Sequence, residues 1–273
     1  MRPIEAVFFW VTTGLYVLAF AGTVLGMVFR RRLWRRMGFA AVLGGLVANT
    51  GTVAARWVLS GHMPVGDRYE LNVSGAWLAM LVVTGVVAAV PRLRPLLAGA
   101  LPPVILALGI GVTSPTAIGP LSAAYDSGWL AVHVVFAFLS FGCFVLAFSA
   151  AAIYLAEGLG VRVRVRAGLP EGEALEEISY RVIVAGFIFE AVMIASGAVW
   201  ANDLWGSYWS WDPVEVWSLI SFLVYALYLH LRTFAGWRGR RSASVAVLGL
   251  VFVFLSFWGV QWLVPTVHDF NQF

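Results

Sequence analysis

The chain is poor in charged residues and nearly free of cysteine. Only 12% of its 273 residues are charged, whereas 61% are hydrophobic. Soluble domains carry about a quarter charged residues, so the composition excludes a soluble enzyme and indicates an integral membrane protein. Lysine is absent, and all 18 basic residues are arginine. The single cysteine, Cys143, excludes an internal disulfide, a CxxC redox pair and a CxxCH attachment motif.

Eight apolar runs are long enough to cross a bilayer as helices, which takes about 20 residues. The first is too long for the core of a signal peptide and is interpreted as a retained span. The fourth is interrupted by Pro102 and Pro103. The sequence predicts an all-α fold, a polytopic membrane helix bundle of about eight transmembrane helices that forms a single domain over residues 1–273. The runs cover residues 4–28, 37–59, 71–90, 96–112, 129–155, 180–200, 213–231 and 243–264.

Arginine is distributed unevenly between the linkers that join these runs. The odd-numbered linkers are rich in arginine, whereas the even-numbered linkers carry Asp67, Glu70, Asp126, Asp203 and Asp212. Because cytoplasmic loops carry the excess of positive charge, the odd-numbered linkers are predicted to be cytoplasmic, including the longest one at 158–178. Both termini are then extracytoplasmic. The formal charge of +4 follows from this topology and indicates no nucleic-acid partner.

Residues 205–212, between the sixth and seventh runs, read Trp-Gly-Ser-Tyr-Trp-Ser-Trp-Asp. Tryptophan favours the membrane boundary, so these residues could belong to an ordinary aromatic belt. Their density instead predicts a flat surface, within an extracytoplasmic loop at 201–212, that binds a planar molecule. The residues expected at this surface are Trp205, Gly206, Tyr208, Trp209, Trp211 and Asp212.

Asp212 also has a structural explanation. It precedes Pro213, and Glu215 follows one turn into the seventh run. This is the pattern of a helix N-terminus in which a carboxylate caps the first turn and proline takes the first helical position. Asp212 is therefore expected to cap the seventh span whether or not it contacts a ligand.

Four histidines are the candidate ligands for a haem iron. His133, near the outer end of the fifth run, and His268, after the eighth, flank the Trp-rich loop. Each alone could be an interfacial histidine, but the pair predicts a bis-histidine haem site. His230 lies roughly 25 Å deeper and is either an inner haem ligand, with Arg232 near a propionate, or a histidine that reaches the inner boundary. His62, in the loop after the second run, could be a ligand or stabilise its loop.

Two charged residues lie within the apolar runs. Glu190 is near the middle of the sixth run, and Arg56 is near the outer end of the second. Charges at such depth usually face the interior of a bundle or a cavity. Glu190 could therefore line a cofactor cavity or hydrogen-bond a neighbouring helix, and the sequence assigns Arg56 no role.

Residues 205–232, WGSYWSWDPVEVWSLISFLVYALYLHLR, resemble the tryptophan-rich "WWD" segment of the cytochrome c assembly superfamily of haem-handling proteins. The loop SGHMPVGDRYE and the positions of His133 and His268 extend the resemblance over most of the chain. Within the superfamily, the sequence is similar to the CcsA/ResC branch of the system II cytochrome c synthetase, which some bacteria label CcsB.

The resemblance implies a protein of cytochrome c biogenesis that transports haem b and presents it for covalent attachment to the CxxCH cysteines of apocytochrome c. The implied location is the bacterial plasma membrane, or the thylakoid in chloroplast relatives, with an extracytoplasmic functional face. His133 and His268 would ligate an outer haem and His230 an inner one, whose other ligand has no evident counterpart here.

The resemblance also implies partners. A second system II subunit of the CcsB/ResB type, with a large extracytoplasmic domain, would share the synthetase activity. Thioredoxin-like thiol reductants would act indirectly. The substrate cysteines are the nucleophiles, so no catalytic residue is expected in this chain.

Two other functions would use similar residues. A haem b electron-transfer subunit also carries histidine ligands, but normally in stacked pairs on facing helices inside the bilayer. A haem-free transporter would use Glu190 and Arg56 along a path, with the Trp-rich loop as a structural cap.

Overall fold

The computed structural model describes residues 1–119, 121, 125–160, 168–264 and 266. Within these residues the secondary structure is helical, with no β-strand. Eight stretches are long and apolar enough to cross a membrane, which confirms the predicted all-α bundle. The helices are α1 (Pro3–Val28), α2 (Arg32–Ser60), α3 (Arg68–Ala89), α4 (Leu97–Val112), α5 (Gly128–Gly158), α6 (Gly172–Trp205), α7 (Pro213–Thr233) and α8 (Arg240–Phe254).

Two irregular turns adjoin these helices. A 3-10 turn (Pro91–Leu96) leads into α4. A π-helical turn (Leu255–Gly259) extends α8 into a short α9 (Val260–Leu263), so the eighth span is one helical rod with a local change of hydrogen-bond register. The two internal prolines of the fourth span do not break α4.

The loop predicted at 158–178 is shorter in the structure, because α6 begins at Gly172. Residues 161–167 of this loop lie outside the described part of the chain. The first turns of α6 are too polar to be recognised as part of a span. The glutamates of these turns pair with Arg232 of α7, and these salt bridges stabilise the part of α6 that precedes the predicted span.

α5 is the most buried of the described spans, with 67% of its most apolar window buried. A Cβ added at Gly142 would lie 2.9 Å from the backbone of Ala79, so α3 and α5 approach closely. On another face, the ring of Phe144 stacks on Tyr225 of α7 with 3.7 Å between centroids. Lipid supplies no hydrophobic drive for helix association, so such close packing holds the bundle together. α5 therefore packs closely against α3 on one face and against α7 on another.

A buried ion cluster connects α1, α2 and α3 at one end of the bundle. Arg56 of α2 is 1% exposed. It donates from Nε to Glu70 at 2.7 Å and from Nη2 to Asp67 at 2.8 Å. Its Nη1 donates to the carbonyl of Thr116 at 3.1 Å and lies 3.7 Å from Glu5. These contacts give the intramembrane charge of Arg56 a structural role.

Arg56→Gln is expected to destabilise the protein by about 3–5 kcal/mol, because it leaves Glu70 and the partly buried Asp67 without their cation. Thermal unfolding of the purified protein in detergent measures the loss. Arg181→Gln is the matched control, since Arg181 is 76% exposed and pairs with Glu177 at the surface of its own helix. Such an exposed pair contributes at most about 1 kcal/mol. Equal stability of the two variants would contradict this role of Arg56.

Candidate functional site

A cavity of about 170 Å³ lies where α3, α5, α6, α7 and the π-helical turn meet. Its wall is mostly apolar, with a few polar groups that converge on it. This combination is usual for sites that bind small molecules. The aromatic lining residues are Tyr125, Phe138, Trp200, Tyr208, Trp209, Phe257 and Trp258.

His133, near the beginning of α5, contributes an imidazole to the cavity wall. Its Nδ1 lies 2.9 Å from the carbonyl oxygen of Met193 on α6. A carbonyl only accepts hydrogen bonds, so this contact assigns the proton of the neutral ring to Nδ1 and the lone pair to Nε2. Metal-binding histidines commonly have one nitrogen held in this way by a backbone carbonyl. In a neutral imidazole held in this way, Nε2 is the nitrogen that can bind a metal ion.

Gly197 provides the space that this imidazole occupies. A Cβ at this position would lie 2.5 Å from Nδ1 of His133 and 2.9 Å from its Cε1. Gly197 lies about one helical turn beyond Met193, so one face of α6 both binds the ring and leaves room for it. The sequence did not single out either residue, because glycine and methionine are ordinary in an apolar span.

The indoles of the Trp-rich loop do not form one flat surface, so that prediction is wrong. Tyr208 and Trp209 line the cavity. Trp211 is 71% exposed, and its ring stands at 89° to that of Trp209. Trp205 is the last residue of α6 and packs edge-on against Trp200, with 5.3 Å between ring centroids. The left-handed backbone at Trp211, where φ is 61°, turns its side chain away from the others.

The polar residues of the loop determine its shape. Asp212 accepts a hydrogen bond from the backbone of Val214 at 2.9 Å, which confirms the predicted helix cap. Glu215 accepts from the backbone N–H groups of Ser210 and Asp212, at 2.8 and 3.2 Å. Gly206 ends α6 in the left-handed conformation, with φ of 73°. Neither Gly206 nor Asp212 is among the described residues that line the cavity.

The segment after the last span approaches the same loop. The hydroxyl of Thr266 donates to Asp212, 2.7 Å from Oδ1 and 2.8 Å from Oδ2. His268, the predicted second outer ligand, follows two residues later and lies outside the described residues. The chain is therefore held beside the Trp-rich loop just before this histidine.

The π-helical turn brings a tryptophan to the cavity that the sequence did not indicate. Trp258 lines the cavity and donates its indole N–H to Asn72 of α3 at 2.8 Å. Asn72 in turn donates to the carbonyl of Arg68 at 2.7 Å. Arg68 is the one arginine or lysine among the described lining residues. π-helical turns are frequent at functional sites, but a uniform apolar run gives no sign of one.

His230 is remote from the cavity. It lies near the other end of α7, with its side chain exposed on the surface of the chain and its ring 5.0 Å from that of Phe234. Arg232 is buried and pairs with Glu176 and Glu177, at 2.5 and 3.1 Å. The expectation that Arg232 lies ready for a propionate is therefore wrong, because the extended start of α6 supplies its anions.

Two further polar candidates have structural contacts. Nδ1 of His62 lies 2.9 Å from the carbonyl of Met63, which supports the loop-stabilising interpretation. Glu190 is buried and accepts a hydrogen bond from the hydroxyl of Ser221 on α7. It is absent from the described lining of the cavity, so the interhelical hydrogen bond is confirmed as its environment. Among the described residues, no group of three or more His, Cys, Asp or Glu is arranged to hold a metal ion.

The sequence was compared with known proteins. Residues 56–268 match the family model described as "Cytochrome C assembly protein". "Cytochrome c biogenesis protein CcsA" of Parasynechococcus marenigrum is 36% identical over 258 residues, which cover 82% of this chain and 83% of the relative. The protein of the same name from Gloeobacter violaceus is 32% identical over 96% of this chain and 92% of its own length.

A solved structure has the same fold. "Cytochrome c Heme Lyase CcmF" superposes with a TM-score of 0.71 over 97% of this chain, at 16% sequence identity. This chain covers 47% of that protein, about half its length. The family match and the identity to the CcsA proteins establish the relationship that the Trp-rich segment indicated. The chain belongs to the cytochrome c assembly protein family, among the CcsA proteins of system II.

Proposed function

We propose that this chain binds haem b in the cavity through His133 and presents it for covalent attachment to apocytochrome c. Membership of the cytochrome c assembly family assigns the chain a role in cytochrome c maturation. The observation that carries the finer proposal is the 2.9 Å contact between Nδ1 of His133 and the carbonyl of Met193. It directs the iron-binding nitrogen, Nε2, away from α6.

The side chains of the cavity suit a tetrapyrrole. The macrocycle is apolar on both faces, so indole rings such as those of Trp209 and Trp258 favour it. Its propionates are anionic, and the guanidinium of Arg68 can bind a carboxylate through two parallel N–H groups. Asn72 joins Trp258 to the backbone of Arg68, so the apolar and the cationic parts of the wall are held together.

We propose that His268 would supply the second ligand to the iron of this haem. The hydrogen bond from Thr266 to Asp212 supports this assignment, because it anchors the chain to the Trp-rich loop two residues before the histidine. Two histidine ligands would hold the iron and orient the macrocycle.

The contribution of the chain to the reaction is binding and orientation. When bound, haem supplies the vinyl groups to which cysteine sulfur adds. The nucleophiles are the thiolates of the CxxCH motif in apocytochrome c, so the chain holds the acceptor in place rather than attacking it. A second subunit of the CcsB/ResB type would share the synthetase activity, and thioredoxin-like reductants would keep the substrate thiols available.

We propose the bacterial plasma membrane as the location of the chain, with the cavity facing outward. The distribution of arginine supports this orientation. The linker after α1 and the linker after α7 are rich in arginine. Both lie at the end of the bundle opposite to the Trp-rich loop. By the positive-inside rule this arginine-rich end is cytoplasmic, so the cavity opens to the side where apocytochrome c matures.

We further propose that His230 ligates haem at the inner side during transit. Its side chain is exposed on the surface of this chain, so the other ligand of such a haem would come from a neighbouring chain. The second subunit is the natural source. This arrangement explains why the sequence of this chain contains no evident second ligand for the inner haem.

His133→Ala is expected to lower haem retention more than about a hundredfold, because it removes an iron ligand. The Soret absorption of the purified chain and the yield of c-type cytochromes in cells measure the effect. His62→Ala is the matched control, because His62 lies in an adjacent loop and contacts its own backbone.

Equal haem content in the two histidine variants would contradict ligation by His133. Recovery of His133→Ala by added imidazole would identify lost ligation rather than misfolding. A wild-type chain without Soret absorption would favour the haem-free transporter, and rapid turnover with quinol would favour the electron carrier.

Gly197→Ala is expected to weaken haem binding by about 10–100-fold, because the added methyl group displaces Nδ1 of His133 from the carbonyl of Met193. Haem titration of the purified chain measures the affinity. Gly109→Ala on α4 is the control, since a Cβ there meets no atom within 4 Å. If both variants bound haem as the wild type does, the position of the imidazole against α6 would be unimportant for ligation.

A further inference from the structure

Five arginines from two separate segments line one pocket at the end of the bundle opposite to the cavity. The pocket has a volume of about 570 Å³. α3 runs from the cavity to this pocket, and its 22 residues span roughly 33 Å. The arginines are Arg32, Arg35 and Arg36 of the first turns of α2, and Arg92 and Arg94 of the 3-10 turn before α4.

Packing positions at least two of these side chains. The guanidinium carbon of Arg94 lies 3.8 Å from the ring centre of Phe39 on α2, a cation–π contact. The stem of Arg35 passes over Gly26 of α1, where an added Cβ would be 2.5 Å from its Cγ. The basic groups are therefore directed into the pocket by neighbouring helices.

The described lining of the pocket contains no compensating carboxylate. Neither aspartate nor glutamate is among the described residues that line the pocket beside Arg32, Arg36, Arg92 and Arg94. Nε of Arg94 is buried and donates no hydrogen bond to any described residue. Like charges gathered in one pocket repel each other, so an anion bound there would stabilise this end of the bundle.

The beginning of α2 adds to the positive potential. Arg31, the N-cap residue, makes no side-chain capping hydrogen bond, and the first turn contains no acidic residue. The backbone N–H groups of a helix N-terminus carry partial positive charge, which cations on the same turn do not offset. Phosphate groups bind at helix N-termini for this reason.

Membrane topology alone does not explain this pocket. The positive-inside rule accounts for arginine in the linkers, but not for the convergence of two linkers that are far apart in sequence. Arg30 and Arg31 satisfy the same rule and are not among the described lining residues. The convergence indicates a binding site.

We propose that this pocket binds the phosphate group of an anionic phospholipid in the adjacent leaflet. Arginine binds phosphate through two parallel N–H donors, and basic pockets between transmembrane helices bind anionic headgroups. Leu33 and Trp34, on the same turn of α2, are 66% and 39% exposed, and they would face the acyl chains and the interface. By binding arginines of both segments, the headgroup would link the beginning of α2 to the 3-10 turn before α4.

The test uses the purified full chain in neutral detergent, titrated with phosphatidylglycerol or with phosphatidylcholine. Native mass spectrometry counts bound lipid, and thermal unfolding reports stabilisation. Phosphatidylglycerol is expected to bind and to raise Tm, and phosphatidylcholine is not. The double substitution Arg32→Gln with Arg36→Gln should weaken phosphatidylglycerol binding roughly 30-fold. Arg238→Gln with Arg241→Gln changes the net charge equally at the same end of the bundle, outside the described lining of the pocket, and should leave the affinity unchanged.

Two further measurements complete the test. Inorganic phosphate at matched ionic strength shows whether a soluble anion binds the same arginines, and stabilisation by phosphate alone would overturn the lipid as its source. Arg32→Lys with Arg36→Lys preserves charge but not paired donors, so it should weaken lipid binding severalfold even if the glutamine variant fails to fold. Equal phosphatidylglycerol affinity of both glutamine variants, or affinity no higher than for phosphatidylcholine, would overturn the proposal.

Discussion

The hydrocarbon core of a membrane contains no water to hydrogen-bond a polar group, so every polar side chain that enters the bundle needs a partner within the protein. Three buried charged side chains among the described residues have such partners on another helix or at its N-cap. Arg56 binds carboxylates of α3, Arg232 binds carboxylates of α6, and Glu190 binds a hydroxyl of α7. Each pair fixes the relative position of elements that lie apart in the chain, and the imidazole of His133 is likewise paired with a group on a neighbouring helix.

His133 obtains its orientation from this pairing. The carbonyl of Met193 holds one nitrogen, Gly197 leaves room for the ring, and the other nitrogen carries the lone pair. The carbonyl of Met193 lies inside α6, where it also accepts a hydrogen bond from the hydroxyl of Ser196 at 3.1 Å. The site is thus a product of how α5 packs on α6. The Trp-rich loop supplies one part of the wall rather than the whole surface.

How much could be predicted depends on whether a feature is local in sequence. The eight spans follow from run length and composition, and the cap at Asp212 follows from three neighbouring residues; both predictions are confirmed. The directions of the loop indoles depend on the backbone at Trp211, and the contribution of Trp258 depends on a π-helical turn. Neither the left-handed backbone at Trp211 nor the π-helical turn produces a recognisable pattern of hydrophobic residues in the sequence. The partners of Arg232 depended on where α6 begins, in a stretch whose polarity resembles a loop.

The central claim is that Nε2 of His133 binds haem iron inside the cavity formed by α3, α5, α6, α7 and the π-helical turn. Its most direct test is an experimental structure of the haem-loaded chain together with its partner subunit. The account predicts a tetrapyrrole bordered by Trp209 and Trp258, with Nε2 of His133 bonded to the iron and Nδ1 still held by Met193. Haem bound elsewhere, or an iron in this cavity with His133 turned away from it, would contradict the claim.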